Sequence, residues 1–245
     1  MRKLLIALAF VASPVAAQDH PDLSGFWAPD FGPVERPQEL MDKLPDDVGM
    51  VEDTGVEEFP RGEFGELVLT PFAEDQAIEW YPETEMSIAR VCLPPGIVYS
   101  LQGPFPFEIH QFDDVIVIRY EYFDQTRLVF MDGREHPGEG YPHSKMGFST
   151  GRWEGEELIV ETTHLAASTI TNNGLNHTDG IVMRERYRLS DDGEQLMATQ
   201  WFRDREVIEN DGARFISWSK REGEHVYPYE CDPSFALEYQ GIGAE

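Results

Sequence analysis

From Phe107 onward the chain is a succession of short apolar segments separated by a few polar residues, and this rhythm constrains the fold more than any other feature. The segments F-E-I-H-Q, D-V-I-V-I-R-Y-E-Y, T-R-L-V-F-M, K-M-G-F-S-T-G-R-W, E-L-I-V-E-T-T-H, G-I-V-M-R-E-R-Y-R-L, Q-L-M-A-T-Q-W-F-R and R-F-I-S-W-S each read as a strand. Eight candidate strands, mostly joined by short polar turns such as F-D-Q, E-G and S-D-D-G-E, predict an antiparallel meander. A meander of this size closes most simply into an up-and-down barrel, which removes its edges and leaves an interior able to hold one small ligand. A two-sheet sandwich is the alternative. The fold class expected is therefore all-β, an antiparallel barrel of about eight strands preceded by one short helix.

That helix is expected over residues 71–81, where Thr70 can cap it, Pro71 occupies its first position and Glu74 and Asp75 lie near its positive end. Residues 18–66 hold D-L-S-G-F-W and then a Pro- and acid-rich stretch with little periodicity. They read as a surface arm with a short helix near Pro37 to Leu44, leaving residues 67–245 for the barrel domain. Residues 1–17 read as an export leader: Arg2 and Lys3, an apolar run from Leu4 to Ala12, and small residues at Val15 and Ala17 before a cleavage point. The run is far short of the ~20 residues that span a bilayer, and no Cys follows Ala17 to carry a lipid. The expected location is periplasmic or secreted, with no membrane insertion.

Acidic residues outnumber basic ones by 46 to 19, a formal charge of −27 that loss of Arg2 and Lys3 makes more negative. Such a surface repels phosphate backbones and anionic lipid, so nucleic acid and membrane are poor partners, and a small apolar or aromatic ligand suits it better. Cys92 and Cys231 are the only cysteines and are expected to pair in an oxidising compartment.

The segments D-L-S-G-F-W, R-V-C-L-P-P-G, R-L-V-F-M-D-G-R-E-H-P, G-F-S-T-G-R-W-E-G-E-E-L-I-V-E-T-T, R-E-R-Y-R and Y-E-C resemble a family of largely uncharacterised exported bacterial proteins. Its members typically read C-x-P-P-G, D-G-R-x-H-P and G-H-S-x-G-x-W-E-G-D-T-L-V-V-D-T. The resemblance is dense from about Leu69 to Leu165 and implies a lipocalin-like barrel more than any activity. This chain departs from the pattern at Phe148, where the family has His, and at His164, where a Gly often follows T-T.

Side chains alternate faces along a strand, so an ionisable residue in phase with apolar neighbours is paired, neutralised or functional. Leu158, Val160, Thr162 and His164 share the more apolar face of one strand. If the turn before that strand is the two residues Glu154 and Gly155, Gly147, Ser149 and Gly151 oppose that face. A three-residue turn puts Phe148 and Thr150 there instead. On another strand Met183, Glu185, Tyr187 and Leu189 share a face, and burial would raise the Glu185 carboxyl pKa unless an internal Arg or Lys pairs with it. The hairpin around F-D-Q can set Glu121 opposite Arg127 and turn Tyr120 or Tyr122 toward a pocket. His177 falls on a loop at the barrel mouth, within reach of His164. His136 and His143 flank H-P-G-E-G-Y-P-H without a metal-ligand template.

No phosphate-cradling Gly loop and no dinucleotide fingerprint occurs in the sequence. The reading is a cofactor-independent, metal-free lyase or isomerase. His164 and Glu185 are its acid/base pair, and Tyr120, Tyr122, Arg127, Ser149, Thr162, His177 and Tyr187 contact the substrate. The alternatives are a non-catalytic periplasmic carrier of a hydrophobic ligand and a secreted interaction protein using the acidic arm.

Overall fold

The computed structural model describes residues 20–239 apart from Pro33, Gly55 and Met86, so the expected leader lies outside the described residues. In chain order the elements are β1 (Gly25–Pro29), α1 (Gln38–Met41), β2 (Val48–Met50), α2 (Pro71–Ile78), α3 (Pro82–Glu85), α4 (Ile97–Ser100), β3 (Phe107–Gln111), β4 (Val115–Tyr120), β5 (Thr126–Phe130), β6 (Phe148–Glu154), β7 (Glu157–Thr163), β8 (Ser168–Thr171), β9 (Leu175–His177), β10 (Val182–Leu189), β11 (Gln195–Arg203) and β12 (Asp211–Lys220).

Nine strands close a barrel in the order β1-β3-β4-β5-β6-β7-β10-β11-β12, and β12 pairs back onto β1. All eight segments read as strands take part; the ninth, β1, comes from the stretch read as a surface arm. An odd number of strands cannot alternate direction all the way round a cylinder, so at least one pair of neighbours must be parallel. That pair is β5 and β6, with Val129 opposite Ser149 and Phe130 opposite Thr150. The barrel is therefore mixed, where an antiparallel meander was expected. Parallel neighbours cannot be joined by a tight turn, and residues 131–147 run back along the outer wall instead. The arm also adds β2 in parallel to the first residues of β12, while β1 covers the last ones.

The turn between β6 and β7 is Gly155 and Glu156, with Ser149 opposite Thr162 and Gly151 opposite Val160. Gly155 has φ +66°, a conformation that a side chain disfavours. The turn has two residues but falls one residue later than the expected Glu154 and Gly155, so Ser149 pairs with Thr162 rather than Val160; Ser149, Val160 and Thr162 still face inward together, and the three-residue alternative is excluded.

The core is built from this alternation. Trp27, Phe107, Ile118, Val129, Leu158, Val160, Tyr187, Leu196, Phe202 and Trp218 belong to one continuous buried cluster, so side chains fill the barrel. Burying each of the larger ones contributes roughly 1.5–3 kcal/mol. The ends of β4 and β7 and the starts of β6, β10 and β12 lie at one end of the barrel. There α4 and the β8–β9 hairpin form a plug, their Ile97, Val98, Ile170 and Leu175 joining the same core.

Thr70 caps α2 as expected, its hydroxyl accepting from the Ala73 amide at 3.3 Å, but the helix stops at Ile78 rather than residue 81. The helix near Pro37 is the single turn α1, which docks on the outer wall through Lys43–Glu157 at 2.7 Å and Arg188–Glu39 at 2.8 Å. Cys92 and Cys231 form a disulfide, tying the loop before α4 to the tail after β12.

Candidate functional site

Five of the residues expected to meet a substrate meet one another inside the barrel. The Arg127 guanidinium grips Glu185 with both Nη atoms, at 2.9 and 2.5 Å, and donates to Ser149 Oγ at 3.0 Å and Thr162 Oγ1 at 2.7 Å. Tyr187 donates its hydroxyl to Glu185 at 2.7 Å. Arg127 and Glu185 have side chains only 1% and 0% exposed. The internal arginine that would neutralise Glu185 is therefore present. It is not shared with Glu121, which instead accepts from the Tyr227 amide at 3.0 Å, correcting the expected Glu121–Arg127 pair. Tyr120 lies beside Arg127 with its hydroxyl buried and unpartnered among the described atoms, and burial pushes its pKa up to about 12.

A second buried pair holds the plug. Arg214 reaches Asp53 of the arm at 3.2 Å and donates to the Val98 carbonyl at 3.2 Å, the Gln200 side chain at 3.2 Å and the Ile170 carbonyl at 2.5 Å. These two networks order the interior; every polar group in them except Tyr120 and the Gln102 oxygen beside Asp53 is engaged by protein.

His164 does not join Glu185. Strand β7 ends at Thr163, and His164 takes φ +55°, so the alternation that placed it inward no longer applies. Its ring lies on the outer wall under the crossover, edge-on to Tyr141 and His143. With both rings neutral, the hydrogen bonds there have one consistent direction. A carbonyl only accepts, so His164 Nε2 donates to Gly138 O at 3.2 Å and its Nδ1 accepts from Thr163 Oγ1 at 2.8 Å. Thr163 must then accept from His136 Nδ1 at 2.9 Å, and His136 Nε2 accepts from Thr150 Oγ1 at 3.0 Å. The chain occupies both nitrogens of both rings and fastens the crossover to β6 and β7. Burial lowers the His136 pKa below the ordinary histidine value, keeping the neutral ring this chain needs. Among the described residues no three His, Cys, Asp or Glu side chains are placed to hold a metal ion.

His177 is likewise apart from His164. It lies in β9 of the plug, 2% exposed, and donates from Nδ1 to the Thr178 carbonyl at 2.8 Å, leaving Nε2 buried without a partner among the described atoms. Burial pulls its pKa down to about 4. A histidine whose folded pKa is depressed contributes stability that is whole above its ordinary value of about 6.5 and lost as pH falls toward the folded value. Lowering the pH from 7 to 4.5 is expected to remove about 2–3 kcal/mol through this group. His177→Asn, which keeps a donor for the Thr178 carbonyl, should lose correspondingly less stability over that interval in denaturant titrations. Equal losses in both proteins would refute the assignment.

One concave feature at the plugged end is a cleft of about 350 Å³ lined by the R-V-C-L-P-P-G loop, the β4–β5 connection, Lys145 and the β8–β9 hairpin. Tyr122 and Phe123 form one wall, and Leu93, Pro94 and Pro95 form another. Tyr99, Asn172, Asn176, Arg90 and Lys145 bring polar groups to it. Tyr99 donates to Glu58, whose carboxylate also receives the Asn172 amide at 2.9 and 3.1 Å. Tyr122 stacks on Phe105, is edge-on to Tyr229 of the tail, and has its pKa raised by burial. Of the residues singled out in the sequence, Tyr122 alone lines this cleft. Arg90, Tyr99, Lys145, Asn172 and Asn176 carry no periodic or motif signal of binding; only the C-L-P-P-G run marks the place. No protein-family model matches the chain, and no curated protein or solved structure matches it.

Proposed function

We propose that the protein is an exported carrier, a β-barrel that binds a small molecule in the cleft at its plugged end and not within the barrel. The observation that carries this reading is the cleft itself, where aromatic and proline walls meet polar side chains in a volume of about 350 Å³, the lower part of the range for small-molecule sites. A ligand inside the barrel would have to displace a core already filled by Phe107, Tyr187 and Trp218. Acid/base chemistry by His164 and Glu185 would need them in one cavity, and their separate hydrogen-bond partners favour binding over that reaction. The disulfide fits an oxidising compartment.

Purifying the protein from its own host and solving its crystal structure is the test. A co-purified molecule is expected against Tyr122. Asn176→Trp, which fills the cleft from an exposed position, should lower affinity at least about tenfold with an unchanged melting temperature, a loss near 1.4 kcal/mol. A ligand found among Arg127, Glu185 and Tyr120, or full affinity in the variant, would overturn the proposal.

A further inference from the structure

The connection between β4 and β5 breaks a local rule of the backbone. Phe123 takes φ +57° and ψ +29°, and Asp124 follows it at φ +53°, both in the left-handed region. Aspartate tolerates that region, and Asp124 is engaged there, its Oδ1 accepting from the Tyr229 amide at 3.1 Å. A bulky aromatic residue is an outlier in it, and its presence marks strain that the surrounding structure must hold. The Asp124 amide on the Glu121 carbonyl at 3.1 Å and the Tyr120 amide on the Gln125 carbonyl at 2.8 Å lock the turn around it. Glycine or asparagine would make the same turn at less cost. What Phe123 adds is its ring.

The tail has fastenings apart from that ring. The Tyr229 ring also meets Phe105 at 5.2 Å and Tyr122 at 5.7 Å, and the Cys92–Cys231 bridge ties the same segment. The Phe123 ring packs on Tyr229 at 4.5 Å and Tyr122 at 4.7 Å, yet it stays half-buried and lines the cleft. Strained residues of this kind gather at ligand clamps, where a fixed side-chain direction is worth its cost.

We infer that Phe123 is the residue that selects the cleft's ligand, and that the ligand presents to it a planar aromatic ring, seated between the Phe123 ring and the wall of Pro94 and Pro95. The inference rests on the cleft being the ligand site. Offset-stacked and edge-to-face aromatic pairs gain more than the area they bury, which a saturated ring of the same skeleton does not. The wall therefore discriminates by planarity as well as by apolar area. The left-handed backbone then has a function, for it holds the ring in one place before the ligand arrives and so lowers the ordering cost of binding. The volume of about 350 Å³ leaves room for two fused rings.

Matched probes separate this inference from the reading beneath it. Calorimetric titration of the disulfide-bonded protein would compare 2-naphthol with trans-decahydro-2-naphthol, which has the same carbon skeleton and hydroxyl without the flat ring. Naphthol is expected to bind at least about fivefold tighter. Asn176→Trp should weaken both, which places them in the cleft. Phe123→Tyr should keep the preference for naphthol, whereas Phe123→Leu and Phe123→Asn should each lose it. Phe123→Asn should do so without lowering the unfolding midpoint, since its side chain suits the left-handed backbone. Affinity for the saturated probe equal to or above that for naphthol would overturn the aromatic inference and leave the cleft reading standing. A preference that survives in both ring-less variants would assign Phe123 to the fold alone and overturn the inference in the same way. Failure of both probes to bind would overturn the inference and the cleft reading together.

Discussion

Arg127→Met is expected to destabilise the protein by about 3–5 kcal/mol, the cost of leaving a buried carboxylate without its partner. Glu185 would lose both guanidinium contacts in a site where its side chain has no solvent exposure, keeping only the Tyr187 hydroxyl. The pair itself is a weaker source of stability than this figure suggests, because both ions were desolvated to form it. Arg127→Met combined with Glu185→Leu should therefore recover part of the loss, since Ser149 and Thr162 still bond each other at 2.9 Å while the buried Tyr187 hydroxyl loses its Glu185 acceptor. Denaturant unfolding of the single and double variants checks the claim. A single-variant loss under about 1 kcal/mol would show that the carboxylate finds other compensation. Cleft binding of a small molecule should persist in the double variant, which leaves every cleft residue in place.

Replacing Cys92 and Cys231 by serine should cost about 2–5 kcal/mol. The bridge closes a sequence separation of 139, so in the chain-entropy account its main effect is on the unfolded chain. It also has local consequences. Among the contacts that also hold the tail beyond β12 are the Tyr227 amide on Glu121, the Tyr229 amide on Asp124, and the packing of the Tyr229 ring on Phe105, Tyr122 and Phe123. Val91 and Leu93, either side of Cys92, line the cleft that Tyr122 and Phe123 close from across. The serine variant should therefore unfold at lower denaturant, lose tail residues to protease first and, on the proposed carrier reading, bind a small molecule in the cleft more weakly. An unchanged unfolding midpoint would show that the remaining tail contacts suffice.

The position of His164, the histidine singled out most strongly, shows where strand phase stops being informative. Alternation placed Ser149, Val160, Thr162, Met183, Glu185 and Tyr187 on inward faces, and all of them are inward, because side-chain direction within a strand is set by local backbone geometry. His164 lies one residue past the end of β7 in a left-handed conformation, and the same rule extended by that one residue gives the wrong side of the wall. Tyr122 illustrates the converse: it falls after β4, outside any phase, and reaches the cleft through the turn geometry.

Eight of the nine barrel strands, the inward faces of β7 and β10 and the pairing of the two cysteines were written in the sequence, for each rests on near-neighbour patterning or on there being only two cysteines to pair, whereas on β5 the alternation read from the hairpin put Leu128 and Phe130 on the inner face that Arg127 and Val129 occupy. The ninth strand was not, because D-L-S-G-F-W-A-P has no run of alternation and becomes a strand only by filling the gap between β12 and β3. The parallel β5–β6 pair, the choice of Arg127 over any other cation for Glu185, and the meeting of Phe123 with Pro94 at one cleft were decided by the tertiary structure alone. Each depends on which distant segments the closed cylinder and its plug bring side by side, and no local interaction along the chain encodes that.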